Sequence, residues 1–225
     1  VEQESAADLQ LFFEGLCQRF LTWAAQETTH RAARDAALAG MPFPYEEFRT
    51  GQRYLSESVY KANVSGRCLL AQAPTGIGKT MGTVFPVLKA MPGQRLDKLF
   101  FLTAKTPGRQ LALDALHALT LPEENRPLRV LELVARDKAC EYPDKACHGD
   151  SCPLAQGFYD RLPQARQAAV DMALKVGNLG KESLRDLALT HRVCPYYLGQ
   201  DLVRWSDVVV GDYNYWFDGS ALLHA

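Results

Sequence analysis

The amino-acid sequence predicts an α/β protein, a parallel sheet covered by helices on both faces. Three observations carry that expectation. The short apolar runs "RCLLAQA", "DKLFFLTA" and "PLRVLELVA" have strand length, stretches of helical periodicity lie between them, and a further run, "SDVVVGD", resumes the pattern near the end. Parallel strands need long crossover connections, and helices of this kind supply them.

Taken in order, the chain opens with residues 6–38, rich in Ala, Leu, Gln, Glu and Arg. There Leu9, Phe12, Phe13, Leu16, Phe20 and Trp23 recur at steps of three and four, which predicts an amphipathic helix or a helical hairpin. Gly40 and the prolines of "GMPFPYEEF" end it, and a second helix is expected over 50–62. "RCLLAQA" then gives a first strand, a glycine-rich loop follows, and a helix runs from Lys79 to Met91. "DKLFFLTA" with "TPGRQLALDALHAL" repeats the strand and helix, and "PLRVLELVA" adds a third strand. From Lys138 the pattern turns to cysteines, prolines and helices without a clear strand. That stretch reads as an insertion, after which a helix beginning near Pro195 leads into the strand "SDVVVGD". The expected organisation is an N-terminal helical segment (1–40), a core in two pieces (41–137 and 195–225), and an insertion (138–194).

At 225 residues, with 47% hydrophobic and 23% charged residues, the chain has the composition of an ordinary folded domain. Twenty-five Lys and Arg against 26 Asp and Glu leave a formal charge of -1. Bulk charge therefore argues for no nucleic-acid partner, and any basic surface must be local. The longest apolar runs fall far short of the roughly 20 residues that span a bilayer. The expectation is a cytoplasmic protein with no membrane partner, cut from a longer polypeptide, since it starts at Val1 without an initiator Met.

The stretch "APTGIGKT" is a phosphate-binding loop with Ala73 at the first Gly of the usual pattern. Gly76 and Gly78 let the backbone of Thr75, Ile77 and their neighbours wrap phosphate oxygens, and the following helix presents its N-terminus to them. Lys79 would reach the β- and γ-phosphates of ATP, and the Thr80 hydroxyl would hold Mg²⁺. The core is accordingly expected to be a P-loop nucleotide-binding fold.

Of six cysteines, Cys17 and Cys68 fall within a helical face and a strand and are expected to be buried free thiols. Cys140, Cys147 and Cys152 have six and four residues between them, and Cys194 follows after 41 more. Such a group suggests a metal or cluster site. The spacing alone leaves zinc and iron-sulfur open, with His148 and His191 as possible stand-in ligands.

The segments "QAPTGIGKT", "KLFFLTAKT", "VARDKAC" and "CPYYLGQDLVRWSDVVVGDYNYWFD" follow one another in an order that resembles the iron-sulfur helicases of the XPD and DinG type, a branch of superfamily 2. The likeness covers about Phe43 to Asp218. It implies a RecA-like first motor domain acting with a second one, and ligation of a 4Fe-4S cluster by Cys140, Cys147, Cys152 and Cys194. It also implies action on single-stranded DNA, in DNA repair. Gln52, with Phe48 and Arg49 beside it, resembles the adenine-reading segment of such motors, because its amide can donate and accept at once. "FLTAKTPGRQ" sits where the family contacts the DNA backbone, so Thr103, Lys105, Thr106 and Arg109 are expected DNA contacts. Arg136 matches a basic position that supports the cluster and is counted with the DNA-binding residues. Tyr196, Tyr197, Tyr213, Tyr215 and Trp216 could stack on unpaired bases.

Asp212 ends an apolar strand but is followed by Tyr213, not by the Glu of a DEAH-type box, so it is not expected to hold magnesium. Lacking that box and the second motor domain, this piece alone is expected to be inactive. Two other readings share parts of the pattern. One is a different P-loop ATPase with a zinc-stabilised insertion, and the other is a non-catalytic nucleic-acid-binding module.

Overall fold

The computed structural model describes residues 5–119 and 127–217. Its elements run α1 (Ala6–Gly40), α2 (Gln52–Val64), α3 (Lys79–Gln94), β1 (Leu99–Thr103), α4 (Thr106–Ala118), β2 (Val130–Glu132), α5 (Arg136–Ala139), α6 (Phe158–Val176), α7 (Lys181–Thr190), α8 (Pro195–Leu202), β3 (Val208–Asp212) and α9 (Asn214–Phe217). The strands form a parallel sheet in the order β1-β3-β2, with Leu99 opposite Val208 and Val130 opposite the same residue. The last strand in sequence is thus the central one. Asp218, where the family-like segment ends, lies outside the described residues.

Alternation along the strands divides the core in two. Val208, Val210 and Val130 face α3 and α4, where they join Val84, Leu88, Met91, Leu113 and Leu116. Val209, Leu131 and Leu133 face the other way, onto Leu162, Ala169, Leu184, Leu187, Leu198 and Leu202 of α6, α7 and α8. A strand covered on both sides reads as a continuous apolar run, which is why "VVV" carries no alternation of its own. The helices of residues 158–190 therefore share one core with the sheet. Leu131 also forms a parallel bridge with Leu179, just before α7.

The expected strand over "RCLLAQA" does not form. Residues 67–74 carry no strand and join no ladder among the described residues, and Leu70 is fully exposed. Strand residues without a neighbouring ladder leave their backbone groups to water. Cys68, expected to be buried, is exposed for the same reason, and Cys17 is only half-buried.

The N-terminal segment is a single 35-residue helix, not a hairpin. Ser5 caps it by accepting from the Asp8 amide at 3.2 Å. At its other end Lys89 reaches over from α3 to the carbonyls of Ala39 (2.6 Å) and Met41 (2.8 Å). Its apolar stripe does not enter the core, for Leu9, Phe12, Phe13 and Phe20 are all exposed. The helix docks instead by its polar second half, through His30, Arg34 and Leu38.

The anchor is Asp207, 4% exposed at the entrance to β3. Its carboxylate meets the His30 ring Nε2 at 2.9 Å and accepts from the Arg34 guanidinium at 2.9 Å and the Arg129 amide at 2.8 Å. Arg129 in turn pairs with Glu27 at 2.7 Å. Burial pushes the Asp207 carboxyl up, but the His30 hydrogen bond and charge, the Arg129 amide and the Arg34 charge outweigh it and hold the group below its ordinary value. Below it, Lys98 donates to the Val203 carbonyl at 2.6 Å and closes the chain turn before β3.

No helix among the described residues is long and apolar enough to cross a membrane.

Removing Asp207 strands the buried Arg34 guanidinium and leaves the His30 ring and the Arg129 amide without their partner, and breaking a buried pair in this way costs about 3–5 kcal/mol. Asp207→Ala is therefore expected to lower the unfolding free energy in urea by about that much at neutral pH. Because the folded carboxyl titrates lower than the free one, the gap between wild type and variant is present above about pH 4 and closes as pH falls further.

Candidate functional site

The glycine loop enters α3 through two residues in the left-handed region, Gly76 at φ 85° and Gly78 at φ 79°. Gly78 is the N-cap of α3 and has no side chain, so the first amides of the helix remain open to a ligand. The Lys79 ammonium folds back over the loop and donates to the carbonyls of Pro74 (2.8 Å) and Ala73 (3.2 Å). Thr75 and Gly76 are exposed, Ile77 is half-buried, and Thr80 lies in the first turn of α3. Gln52 is nearly fully buried against the loop, where it donates to the Gly78 carbonyl at 2.9 Å and accepts from the Arg49 amide at 3.0 Å.

A second feature gathers at the carboxyl ends of the strands, where ligands bind in open α/β sheets. The register brings Thr103 opposite Asp212, so the loops after β1 and β3 emerge side by side, with the turn into α5 next to them. They enclose a cleft of about 620 Å³ lined by Lys105, Thr106, Arg109, Arg136, Lys138 and Tyr196, among others. Four of the five expected DNA contacts thus meet in one place. Thr103 does not line it, for its hydroxyl donates to the Lys105 carbonyl at 3.0 Å and shapes the loop from beneath. Gly108 explains how α4 starts so close to β1, since a methyl there would come within 3.1 Å of the Thr103 side chain. Arg109 is 7% exposed and stands 3.5 Å from Glu132, whose other oxygen accepts from the Lys181 amide at the start of α7.

Two buried polar atoms beside this cleft make no hydrogen bond among the described residues: Nε of Arg109, which has only the longer ion pair to Glu132, and the hydroxyl of Tyr215. Burial holds the Tyr215 phenol protonated far above its ordinary range. Asp212 uses its carboxylate to accept from the Asn214 amide at 2.9 Å, a turn-forming role. Tyr197, Tyr213 and Trp216 are exposed, and Trp216 packs on Phe100 at 5.1 Å.

Of the four cysteines expected to cluster, Cys194 is the N-cap of α8. Cys147 is exposed, while Cys140, Cys152 and Cys194 are half-buried. Burial pushes the Cys194 thiol up, the amides of Tyr197 and Tyr196 oppose the rise, and the charges of Cys140 and Cys152 add to it. Burial pushes the Tyr197 phenol up, and the charge of Cys147 adds to the rise. Among the described residues no three His, Cys, Asp or Glu side chains are gathered as around a metal ion. The segment is tied to α7 by a two-pronged pair, Glu141 with Arg185 at 2.6 and 2.7 Å.

Sequence reasoning missed Lys138, the Arg49 contact to the loop, and the His30–Arg34–Asp207 anchor. Lys138 sits in the quoted "VARDKAC", two residues after Arg136, and could have been found. The anchor joins residues more than 170 positions apart and left no local signal.

Residues 114–223 match the DEAD_2 family. The regulator of telomere elongation helicase 1 homolog of Anopheles gambiae is 22% identical over 234 residues, which cover 81% of this chain and 23% of that protein. Among solved structures an XPD helicase aligns with 17% identity and a TM-score of 0.51, over 79% of this chain and 30% of the other. The chain thus spans less than a third of the relatives it matches. The DEAD_2 match over just under half of the chain, the helicase relative and the shared fold all support the superfamily 2 helicases of the XPD and DinG type as the lineage that this chain resembles.

Proposed function

We propose that the chain is part of the first motor domain of an ATP-dependent DNA helicase that serves DNA repair in the cytoplasm. In this reading 41–137 and 195–225 belong to a RecA-like core, 1–40 is an accessory helix, and 138–194 is a cluster-bearing insertion. The observation that carries it is the glycine loop, whose left-handed Gly76 and Gly78 deliver an uncapped helix N-terminus beside Lys79. Loop amides would hold the phosphates of ATP, the Lys79 ammonium would move from the Ala73 and Pro74 carbonyls to the β- and γ-phosphates, and Thr80 would hold Mg²⁺. Bound Mg²⁺ supplies charge neutralisation between those phosphates. Hydrolysis also needs groups of the second motor domain, so this piece alone turns ATP over at background rate.

The cleft at the strand ends suits the backbone of single-stranded DNA. Lys105, Arg109, Arg136 and Lys138 provide cations, the Thr106 end of α4 provides amides, and Tyr196 offers a ring. The thiols of Cys140, Cys147, Cys152 and Cys194 match in number and type the donors of a 4Fe-4S cluster, the assignment that the helicase resemblance implies. When bound, such a cluster cross-links the loop before α6 to the start of α8.

Three measurements test this. Calorimetric titration with Mg-ATP is expected to show binding that Lys79→Ala weakens at least tenfold; retained affinity would count against the phosphate role. Binding of an oligothymidylate should weaken with salt, and Arg109→Ala or Lys105→Ala should each reduce the slope of log K against log salt by about 0.7. An unchanged slope would remove that residue from the DNA path. Protein purified without oxygen is expected to carry about four irons and four sulfides per chain, lost in Cys147→Ser. One zinc and no iron would favour the zinc-stabilised ATPase.

A further inference from the structure

Every residue of α1 up to Trp23 is exposed except Cys17, so the first half of the helix is an arm that leaves the sheet and its helices. At 1.5 Å per residue the arm is roughly 27 Å long. Single apolar side chains on a surface are ordinary, whereas a contiguous apolar patch marks an interaction site. The patch on this arm is contiguous. Leu9, Phe13, Leu16, Phe20 and Trp23 follow one another at alternating steps of four and three, the spacing of a coiled-coil seam, and Phe12 widens it.

The seam does not stop at Trp23. The same alternating steps lead on to Glu27, His30 and Arg34, the residues by which α1 docks onto Arg129 and Asp207. Trp23 marks the junction, with its ring 5.7 Å from Trp205 and 5.4 Å from Phe20. One face of one helix is therefore covered by the chain's own core along its polar half and uncovered along its apolar half. That continuity restricts what can cover the rest. A second copy lying parallel to α1 would bring its own core level with the first, on the side of the seam where the first already sits. An antiparallel copy avoids this, because its polar half and its core leave beyond the opposite end of the arm.

We infer that the uncovered seam of α1 pairs with that of a second copy, antiparallel and about a twofold axis. The seam is self-complementary in that arrangement. Setting Phe13 of each copy against Leu16 of the other brings Leu9 against Phe20, so every layer joins a leucine to a phenylalanine. Beside the seam Arg19 approaches Phe12 of the other copy and Gln10 approaches Cys17, so no like charges face one another. Area is adequate as well. Phe12, Phe13 and Phe20 are each about three-fifths exposed, and at about 200 Å² for a buried ring they offer on the order of 350 Å². Leu9, Leu16 and Trp23 raise the total to most of the roughly 800 Å² that each partner brings to a standard interface.

The test is sedimentation equilibrium of the whole chain from low to high micromolar concentration, in reductant so that the exposed Cys68 and Cys147 cannot link copies. The mass is expected to rise from 25.0 kDa toward twice that value. Phe13→Glu and Leu16→Glu should each weaken self-association at least tenfold, since either buries a charge in the seam. Both side chains are exposed in the single chain, so its helical circular dichroism should be unchanged. Leu11→Glu, on the opposite side of the helix, should leave the mass as in the wild type. Small-angle scattering of the dimer should show an elongated particle with two separated masses. A chain that stays at the monomer mass at every concentration would overturn the inference and assign the face to a different partner. A dimer indifferent to both seam substitutions, or one that scatters as a single compact body, would overturn it as well.

Discussion

One buried carboxylate fixes the geometry from which the rest follows. β3 is the central strand, and it enters the sheet at Asp207, whose two oxygens are shared between α1 and the backbone leading into β2. The Asp207 carbonyl also accepts from the Leu99 amide at 2.8 Å, so the same residue starts the ladder to β1. With the entrance pinned, the register carries to the far end, where Thr103 and Asp212 finish side by side. The basic cleft exists because those two strands end level. A buried charge is expensive unless it is fully partnered, and here the partners come from the helix that shares no motif with the core. The N-terminal helix is thereby bound to the sheet by charge where its greasy half makes no contact with it.

The phosphate loop and the cleft depend on neighbouring elements in different ways. The loop is shaped from outside, by side chains of α2 that reach its carbonyls, because glycines supply no side chains of their own. The cleft is shaped from within the sheet, by the register and by the absence of a side chain at Gly108. α3 joins the two, since it starts at the loop and packs along the same core layer as α4, which starts at the cleft. Residues of α3 and α4 pack in one core layer, so the helix that begins at the loop and the helix that carries Thr106 and Arg109 rest on the same side chains.

Much of the fold was legible. The strands at "LFFLT" and "VVVGD" and the helices at Lys79, Thr106 and Pro195 stand where periodicity and punctuation put them, because their burial is two-sided and local in sequence. Two readings failed for one physical reason. Apolar character at Leu69 and Leu70, or at Phe12 and Phe13, says that a surface prefers to be covered, but only a partner decides whether it is. Conversely, His30, Arg34 and Asp207 are polar and read as surface, yet they are buried because each satisfies the others. Of the candidate site, the residue types were readable, and so was the grouping of Lys105, Thr106 and Arg109, which are close in sequence. The arrival of Arg136 and Lys138 in the same cleft required the sheet order. The engagement of the Gln52 amide by Gly78 and Arg49 required knowledge of where α2 lies.

Glu132 stands between two claimants. One of its oxygens lies near Arg109, at the wall of the cleft, and the other holds the first amide of α7, the helix to which Arg185 and Glu141 tether the cysteine segment. An anion that drew Arg109 toward the cleft would leave Glu132 with α7 alone, and its charge would then favour that helix start more strongly. One carboxylate thus stands at once in the wall of the cleft and at the start of the helix that tethers the cysteine segment.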